Sequence, residues 1–302
     1  MTLPDKVNLI EVGPRDGFQA VSKPIPTDIK VETIEALARA GVRHIQVTSF
    51  VHPKWVPQMA DAEEVCRRIP ATPEVRYRAL ALNQKGVERA HAAGITRLDL
   101  SVSVSETHSH KNANVSVDEA LRNLREMVDL ARQEDIEVRV GLQCVFGCAY
   151  EGPIPSERIL DMAEELLSMK ADMISLADTT GMANPLQVKQ LLSQLLPLTE
   201  ETPLVLHLHD TRGTGLANLT AALECGVNWF DTALAGLGGC PFIPGATGNI
   251  ATEDTLYLLH SMGIETGIDL AGVAACSRRL EQFLGRPLPG KMYRLADQAV
   301  PS

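Results

Sequence analysis

ITRLDLSVS (95–103), SVDEALRNLREMVDLARQ (116–133) and VRVGLQCV (138–145) set the rhythm of this chain. The first and third are short runs rich in apolar and β-branched residues, the composition of strands. The second carries Leu121, Leu124, Met127, Val128 and Ala131 at three- and four-residue spacing, the pattern of a helix with one buried face. The same alternation extends in both directions. Strand-like runs stand at VNLIEV (7–12), VRHIQVTS (42–49), VRYRALAL (75–82), DMISLADT (172–179), PLVLHLHD (203–210) and VNWFDTAL (227–234). Helix-period segments such as DIKVETIEALARAG and SERILDMAEELLSM separate them. Several helices end in a small residue and Gly just before the next strand, as in ARAG-VRH, HAAG-ITR and LECG-VNW, where a left-handed cap turns the chain back. Eight strands, each followed by a helix, predict a closed α/β barrel of the (β/α)8 or TIM type. An open doubly wound sheet is the rival, but it would place a Gly-rich phosphate turn after its first strand, where this chain has GPRDGFQ. The barrel is read over about residues 7–263. A short C-terminal helical extension, built on AGVAACSRRLEQFLG, is read over 264–302, and the whole chain 1–302 is read as one domain.

The chain has 302 residues, 45% of them hydrophobic, and a net charge of −10. An acidic balance argues against a general binder of nucleic acid or of an anionic membrane, since phosphate contacts need clustered Lys and Arg. No apolar run reaches the roughly 18–20 residues of a membrane span. The N-terminus enters a strand-like run by Val7, which leaves no room for a leader peptide. Six cysteines are too sparse for a disulfide scaffold. These features predict a soluble cytoplasmic protein with reduced thiols.

In a barrel of this type the chemistry sits at the C-terminal ends of the strands, and the unusual polar residues fall there. Arg15, Asp16 and Gln19 follow the first strand. Gln46, Thr48 and Ser49 lie on the second, Ser175 and Asp178 close the sixth, and His207, His209 and Asp210 close the seventh. Residues i and i+2 of a strand share a face, so both imidazoles of HLH can converge on one point. An isolated HxH is more readily explained by one packed and one hydrogen-bonded ring; Asp16 at the same mouth shifts the reading toward a divalent metal. Arg15 is placed to stabilise an anion rather than to make a surface ion pair. Cys240 and Asn249 lie in or beside a loop with five glycines between 236 and 248, a composition suited to a closing lid. Cys144 and Cys148 read as buried thiols, and His52 as surface or pocket lining.

GPRDGFQ (13–19), SFVHPKWVPQMAD (49–61), ISLADTTG (174–181), HLHDTRGTGLAN (207–218) and GLGGCPFIPGATGNIATED (236–254) resemble the 3-hydroxy-3-methylglutaryl-CoA lyases, a branch of the metal-dependent barrels that make or break carbon–carbon bonds beside a carbonyl. The resemblance runs from about residue 7 to 290. It implies that Asp16, His207, His209 and Asn249 hold a divalent metal, Mg or Mn, and that Arg15, Asp178, His207 and Cys240 are catalytic. It further implies that Gln19, Gln46, Ser49, Ser175 and Lys111 meet the acyl-CoA substrate, with Glu253 also at the site in support of the glycine-rich loop. A homodimer is implied too. The reaction implied is cleavage of the hydroxyacyl thioester to acetoacetate and acetyl-CoA. A related lyase or condensing enzyme acting on another hydroxy acid or thioester is the alternative, and a non-catalytic metal- or ligand-binding protein is a third reading.

Three departures fall near the expected pocket. The family carries Glu on the second strand where this chain has Gln46. It follows R-D-G-x-Q with Asn-Glu where this chain has Ala20 and Val21, and it has a tyrosine on the fifth strand at the position of Gly141. For Gln46 two readings stand open. Either it steadies Asp178 while the same reaction proceeds, or it hydrogen-bonds a group of a different substrate in a retuned pocket.

Overall fold

In the computed structural model, residues 3–199, 202–239 and 248–295 are described. Eight strands close into one parallel barrel in chain order: β1 (Asn8–Glu11), β2 (His44–Ser49), β3 (Arg76–Leu80), β4 (Arg97–Ser103), β5 (Glu137–Gln143), β6 (Met173–Ala177), β7 (Leu204–His207) and β8 (Trp229–Thr232). The barrel closes where Asn8–Glu11 pair in register with Trp229–Thr232. All eight expected runs are strands, trimmed at their ends. The seventh is trimmed most usefully, because it stops at His207 and leaves His209 to bridge to Asn249 instead.

Around the barrel run α1 (Thr27–Arg39), α2 (Ala62–Arg68), α3 (Gln84–Ala92), α4 (Glu106–Ala113), α5 (Val117–Gln133), α6 (Ser156–Ser168), α7 (Pro185–Thr199), α8 (Gly215–Glu224), α9 (Thr252–Ser261) and α10 (Leu270–Leu284). Local chemistry sets their ends. Ser116 Oγ accepts the Glu119 amide at 3.2 Å to start α5, and Asp269 accepts from Ala271 and Gly272 to start α10. Gly41, Gly94 and Gly226 adopt φ values of 90°, 82° and 93° where α1, α3 and α8 turn into the next strand, a region that penalises any Cβ. The helix of the C-terminal segment packs between α9 and α1 and completes the outer ring. Asp269 N donates to Ala40 O at 2.8 Å to fix that seam.

Two cores result. The larger one lies between the strands and the helices, and Val273, Ala274, Cys276 and Leu280 of α10 belong to it. The smaller one lies inside the barrel, where Ile10, Val12, Met173, Val205 and Ala233 pack together against Trp229. It fills only the side formed by β1, β6, β7 and β8. The other side is charged. Gln46, Arg78, Asp99 and Arg139 sit on β2 to β5 and are all at least 96% buried.

Gly41 and Gly94 share a left-handed backbone but differ in surroundings. A Cβ at Gly41 would meet the Gly267 carbonyl oxygen at 2.4 Å, whereas one at Gly94 would meet nothing within 4 Å. Urea unfolding should show Gly94→Ala losing about 1 kcal/mol and Gly41→Ala losing clearly more. Equal losses would contradict the packing assigned to the α1–α10 seam.

Candidate active site

The mouth of the barrel is assembled from the turn after β1, the end of β7 and the segment after β8. Gly13–Gly17 form a single π turn, a local widening that often marks functional sites. Asp16 N bonds back to Val12 O at 2.7 Å, so the turn holds Asp16 and Arg15 directly over the first strand. Candidate ligand atoms of Asp16, His207 and His209 all lie within 4.8 Å of one another. The two Nε2 atoms of HLH stand 3.2 Å apart, so the rings converge as the strand period predicts.

Protonation follows from the neighbours. His207 Nδ1 lies 3.0 Å from Asp231 Oδ2. With that nitrogen donating to the carboxylate, the Nε2 lone pair faces the centre, the carboxylate–imidazole arrangement typical of metal-bound histidines. Burial, then the adjacent His207, pushes His209 well below the usual imidazole range and keeps it neutral. Burial alone would raise Asp16, but the Arg15 guanidinium and the amide hydrogen that Asn249 donates to it outweigh burial and hold the carboxyl ionised. Asn249 completes the set. Its Nδ2 donates to Asp16 Oδ2 at 2.7 Å and to Leu237 O at 2.9 Å, which uses both amide hydrogens. Its Oδ1 is buried with no hydrogen-bond partner among the described residues. A buried acceptor of this kind is costly unless something positive meets it. One carboxylate, two imidazoles and one amide oxygen fit a divalent cation with mixed oxygen and nitrogen preference.

Arg15 stands at the edge of this centre. Its Nη1 donates to Asp16 Oδ1 at 2.5 Å and its Nε to Gln46 Oε1; the other N–H donors make no hydrogen bond among the described residues. Behind it, Gln46 Nε2 donates to Asp99 Oδ2. Asp99 Oδ1 accepts from Arg78 Nε and Arg139 Nε, each at 2.8 Å. Arg139 Nη1 reaches Asp231 Oδ1 at 2.5 Å. That last contact joins β5 to β8 across the barrel interior. A bonded path therefore runs from Arg15 to His207 beneath the site. Asp99, Arg139 and Asp231 escaped the reading of the sequence. The available signal was a single charge at the inward position of a strand, between apolar neighbours in LDL and VRV and beside Phe230 in FDT.

The remaining expected residues divide. Gln46 is fully buried and its amide is taken by Arg15 and Asp99, so it neither steadies Asp178 nor opens onto the mouth. Asp178 accepts from Met182 N at 2.8 Å and from Ala183 N, and burial raises it to about 6. Gln19 Oε1 is buried without a hydrogen-bond partner among the described residues. Ser49 and Glu253 are fully buried. Ser175 is partly buried, and a Cβ at Gly141 would lie 2.7 Å from its Oγ, so any side chain there would require that hydroxyl to turn away. Lys111 lies on α4 with its ammonium 4.8 Å from the Tyr150 ring centre. His52 is exposed, its Nδ1 accepting from Lys54 N, and Cys144 and Cys148 are buried thiols. Cys240 lies outside the described residues.

Two buried glutamates tie the loops together. Glu11 accepts from Gly13 N, Leu234 N and Thr252 Oγ1, which joins the turn after β1 to the segment after β8. Glu253 Oε2 accepts from Ala235 N at 2.9 Å, where Ala235 holds a left-handed φ of 51°.

The HMGL-like family profile matches residues 6–279. A hydroxymethylglutaryl-CoA lyase of Bacillus subtilis is 42% identical over 291 residues, covering 96% of this chain and 97% of the relative. The mitochondrial hydroxymethylglutaryl-CoA lyase of Bos taurus is 42% identical, covering 96% of this chain and 90% of the relative. Among solved structures, the HMG-CoA lyase of B. subtilis superposes with a TM-score of 0.96 at 41% identity, over 98% of this chain and 100% of that one. An HMG-CoA lyase from Acinetobacter baumannii, in complex with coenzyme A and 3-methylmalate, superposes with a TM-score of 0.94 at 38% identity, over 100% and 99% of the two chains.

Burial pushes Glu253 from 4.5 up to about 8 and Glu11 to about 7. An acid that holds its proton more tightly in the folded state stabilises the fold at low pH. That stability is lost as pH rises from the unfolded value through the folded one. The Glu253 contribution should therefore fall between about pH 4.5 and 8, while the buried neutral His209 acts in the opposite sense below about pH 6.5. Measured against wild type, the melting temperature of Glu253→Gln should fall less, or rise more, across that range. An unchanged slope in that variant would contradict the assignment.

Proposed function

The chain belongs to the HMGL-like family and is a carbon–carbon lyase. From that premise we propose that Asp16, His207, His209 and Asn249 hold one Mg or Mn ion, and that the enzyme cleaves 3-hydroxy-3-methylglutaryl-CoA to acetoacetate and acetyl-CoA. The observation that carries this reading is the Asn249 Oδ1, buried and without a hydrogen-bond partner among the described residues, beside two converging imidazole nitrogens. The substrate assignment is supported by relatives about as long as this chain that are named for that thioester, and by a structural neighbour that binds coenzyme A. Among the described residues no helix is long and apolar enough to cross a membrane. The family resemblance adds a homodimer, and the sparse cysteines, read as reduced thiols, support a cytoplasmic setting.

Cleavage removes the proton of the tertiary hydroxyl and breaks the bond between C2 and C3. The hydroxyl-bearing carbon becomes the ketone of acetoacetate. The electron pair passes to the enolate of acetyl-CoA, which then takes a proton at C2. When bound, the divalent ion acidifies that hydroxyl and offsets the charge of the neighbouring carboxylate. The chain supplies the rest. Arg15, tied down on two sides, aims its unused N–H donors at the developing enolate oxygen. Neutral His209 and the Asp231-oriented His207 keep their lone pairs toward the centre. Asp178, raised to about 6 by burial, sits near neutrality, where an acid–base group exchanges protons most effectively. Cys240 is assigned to proton transfer at the enolate.

Acetyl-CoA release from 3-hydroxy-3-methylglutaryl-CoA, followed in a coupled assay, tests the proposal. Turnover should vanish on treatment with EDTA and return with Mg or Mn. Arg15→Gln should lower kcat by about 100–1000-fold, the loss typical of removing a donor to a developing oxyanion. Full turnover in EDTA, or a wild-type rate in Arg15→Gln, would overturn it.

A further inference from the structure

We propose that Asp99 and Gln46 form a positioning pair for Arg15, in which the charge of Asp99 fixes the orientation of the Gln46 amide and the amide fixes the guanidinium. The inference rests on the function proposed for Arg15 and concerns residues on β2 and β4 that lie beneath it. Gln46 is fully buried, and each end of its amide has one partner of opposite character. Oε1 accepts from Arg15 Nε and Nε2 donates to Asp99 Oδ2. Flipping the amide would set a donor against the guanidinium and an acceptor against the carboxylate. Both contacts would fail at once, so only one orientation is possible.

Asp99 is itself held from several sides. Arg78 Nε and Arg139 Nε donate to its Oδ1, and Arg139 Nη2 donates to its Oδ2 at 2.9 Å. Together with Gln46 these use the four acceptor positions of a carboxylate. The pair therefore stands on a saturated ionic base. Arg15 is the outermost member and the one that reaches the mouth. With Nε fixed by Gln46 and Nη1 by Asp16, its plane has no free rotation, and its remaining donors keep one direction. A shift of about 1 Å in such a group can cost on the order of a hundredfold in rate.

This geometry also explains why glutamine stands where the resemblance leads one to expect glutamate. A glutamate carboxylate in place of the Gln46 amide would lie at hydrogen-bond distance from the Asp99 carboxylate, in a space closed to water, with nothing to donate between them. Like charges buried so closely are strongly unfavourable. The interior charge of this barrel is balanced with Asp99 present and Gln46 neutral, because Arg78 and Arg139 face Asp99 and Asp231. Moving the carboxylate from position 99 to position 46 keeps that balance. Changing either residue alone destroys it.

Four proteins test the pair: wild type, Gln46→Glu, Asp99→Asn and the double variant, each assayed for kcat and KM on 3-hydroxy-3-methylglutaryl-CoA. Each single variant should lose about 10–100-fold in kcat with KM within about threefold, since Arg15 acts on the enolate rather than on binding. The double variant should regain about tenfold over either single, short of full recovery because the amide nitrogen introduced by Asp99→Asn then faces Arg139 Nη2. Gln46→Glu at or above the wild-type kcat would overturn the proposal, as would a double variant no better than additive losses. Should a charged variant fail to fold, Gln46→Met removes both hydrogen bonds without adding charge; a wild-type kcat there would equally overturn it. One readout does not depend on turnover. The Arg15 Nε–H signal in proton–nitrogen NMR spectra, identified by its loss in Arg15→Lys, should exchange slowly in wild type and quickly in Gln46→Met. A wild-type protein with that protected signal and no lyase activity would reject the function and leave the pair standing. Fast exchange in active wild type would reject the pair alone.

Discussion

The ion pair between Arg139 and Asp231, 2.5 Å long and buried inside the barrel, is the contact on which the site depends. It crosses from β5 to β8. One end fixes the carboxylate that orients His207, and the other fixes Asp99 and, through Gln46, Arg15. Removing one partner of such a pair leaves a charge stranded and typically costs about 3–5 kcal/mol. Its value here is directional as much as energetic. Arg139 holds Asp231 ionised against a burial that would otherwise protonate it, and an ionised Asp231 keeps the His207 proton on Nδ1. The functional face of His207 is thus set by a guanidinium from across the barrel.

The division of the barrel interior follows from this. An interior of aliphatic layers alone would give a stable barrel, and the side formed by β1, β6, β7 and β8 is filled that way. The side under Arg15 holds charges instead, each with partners. On the rim, Glu11 and Asn249 do for the loops what Arg139 does for the floor. Glu11 binds amides from both the turn after β1 and the segment after β8. Asn249 reaches from one to the other through Asp16. Arg15, Asp16 and Asn249 come from distant parts of the sequence, yet they share one framework of short buried hydrogen bonds.

Much of this was legible in the chain. The alternation of strand and helix pointed to eight strands in closed order, and the two-residue spacing of HLH pointed to converging nitrogens, because both depend on local period alone. The glycines of ARAG, HAAG and LECG read correctly because a left-handed turn after a helix is a local demand. Gln46 is the instructive failure. Its type and its strand were visible, but its partner Asp99 lies 53 residues away, and only the side-by-side pairing of β2, β3 and β4 brings the two together. Asp99, Arg139 and Asp231 were passed over for the same reason. A charge inside an apolar strand looks like a surface position until the inward parity of its neighbours is counted.

The central claim is that the mouth of this barrel holds a cation on two imidazoles, one carboxylate and one amide. Pulsed electron paramagnetic resonance of the Mn-loaded enzyme reads the ligands directly, because each coordinating imidazole nitrogen modulates the electron spin echo. Two such nitrogens are predicted in the wild type and one in His209→Ala. A Mn signal without imidazole coupling, or one unchanged by loss of His209, would contradict the account.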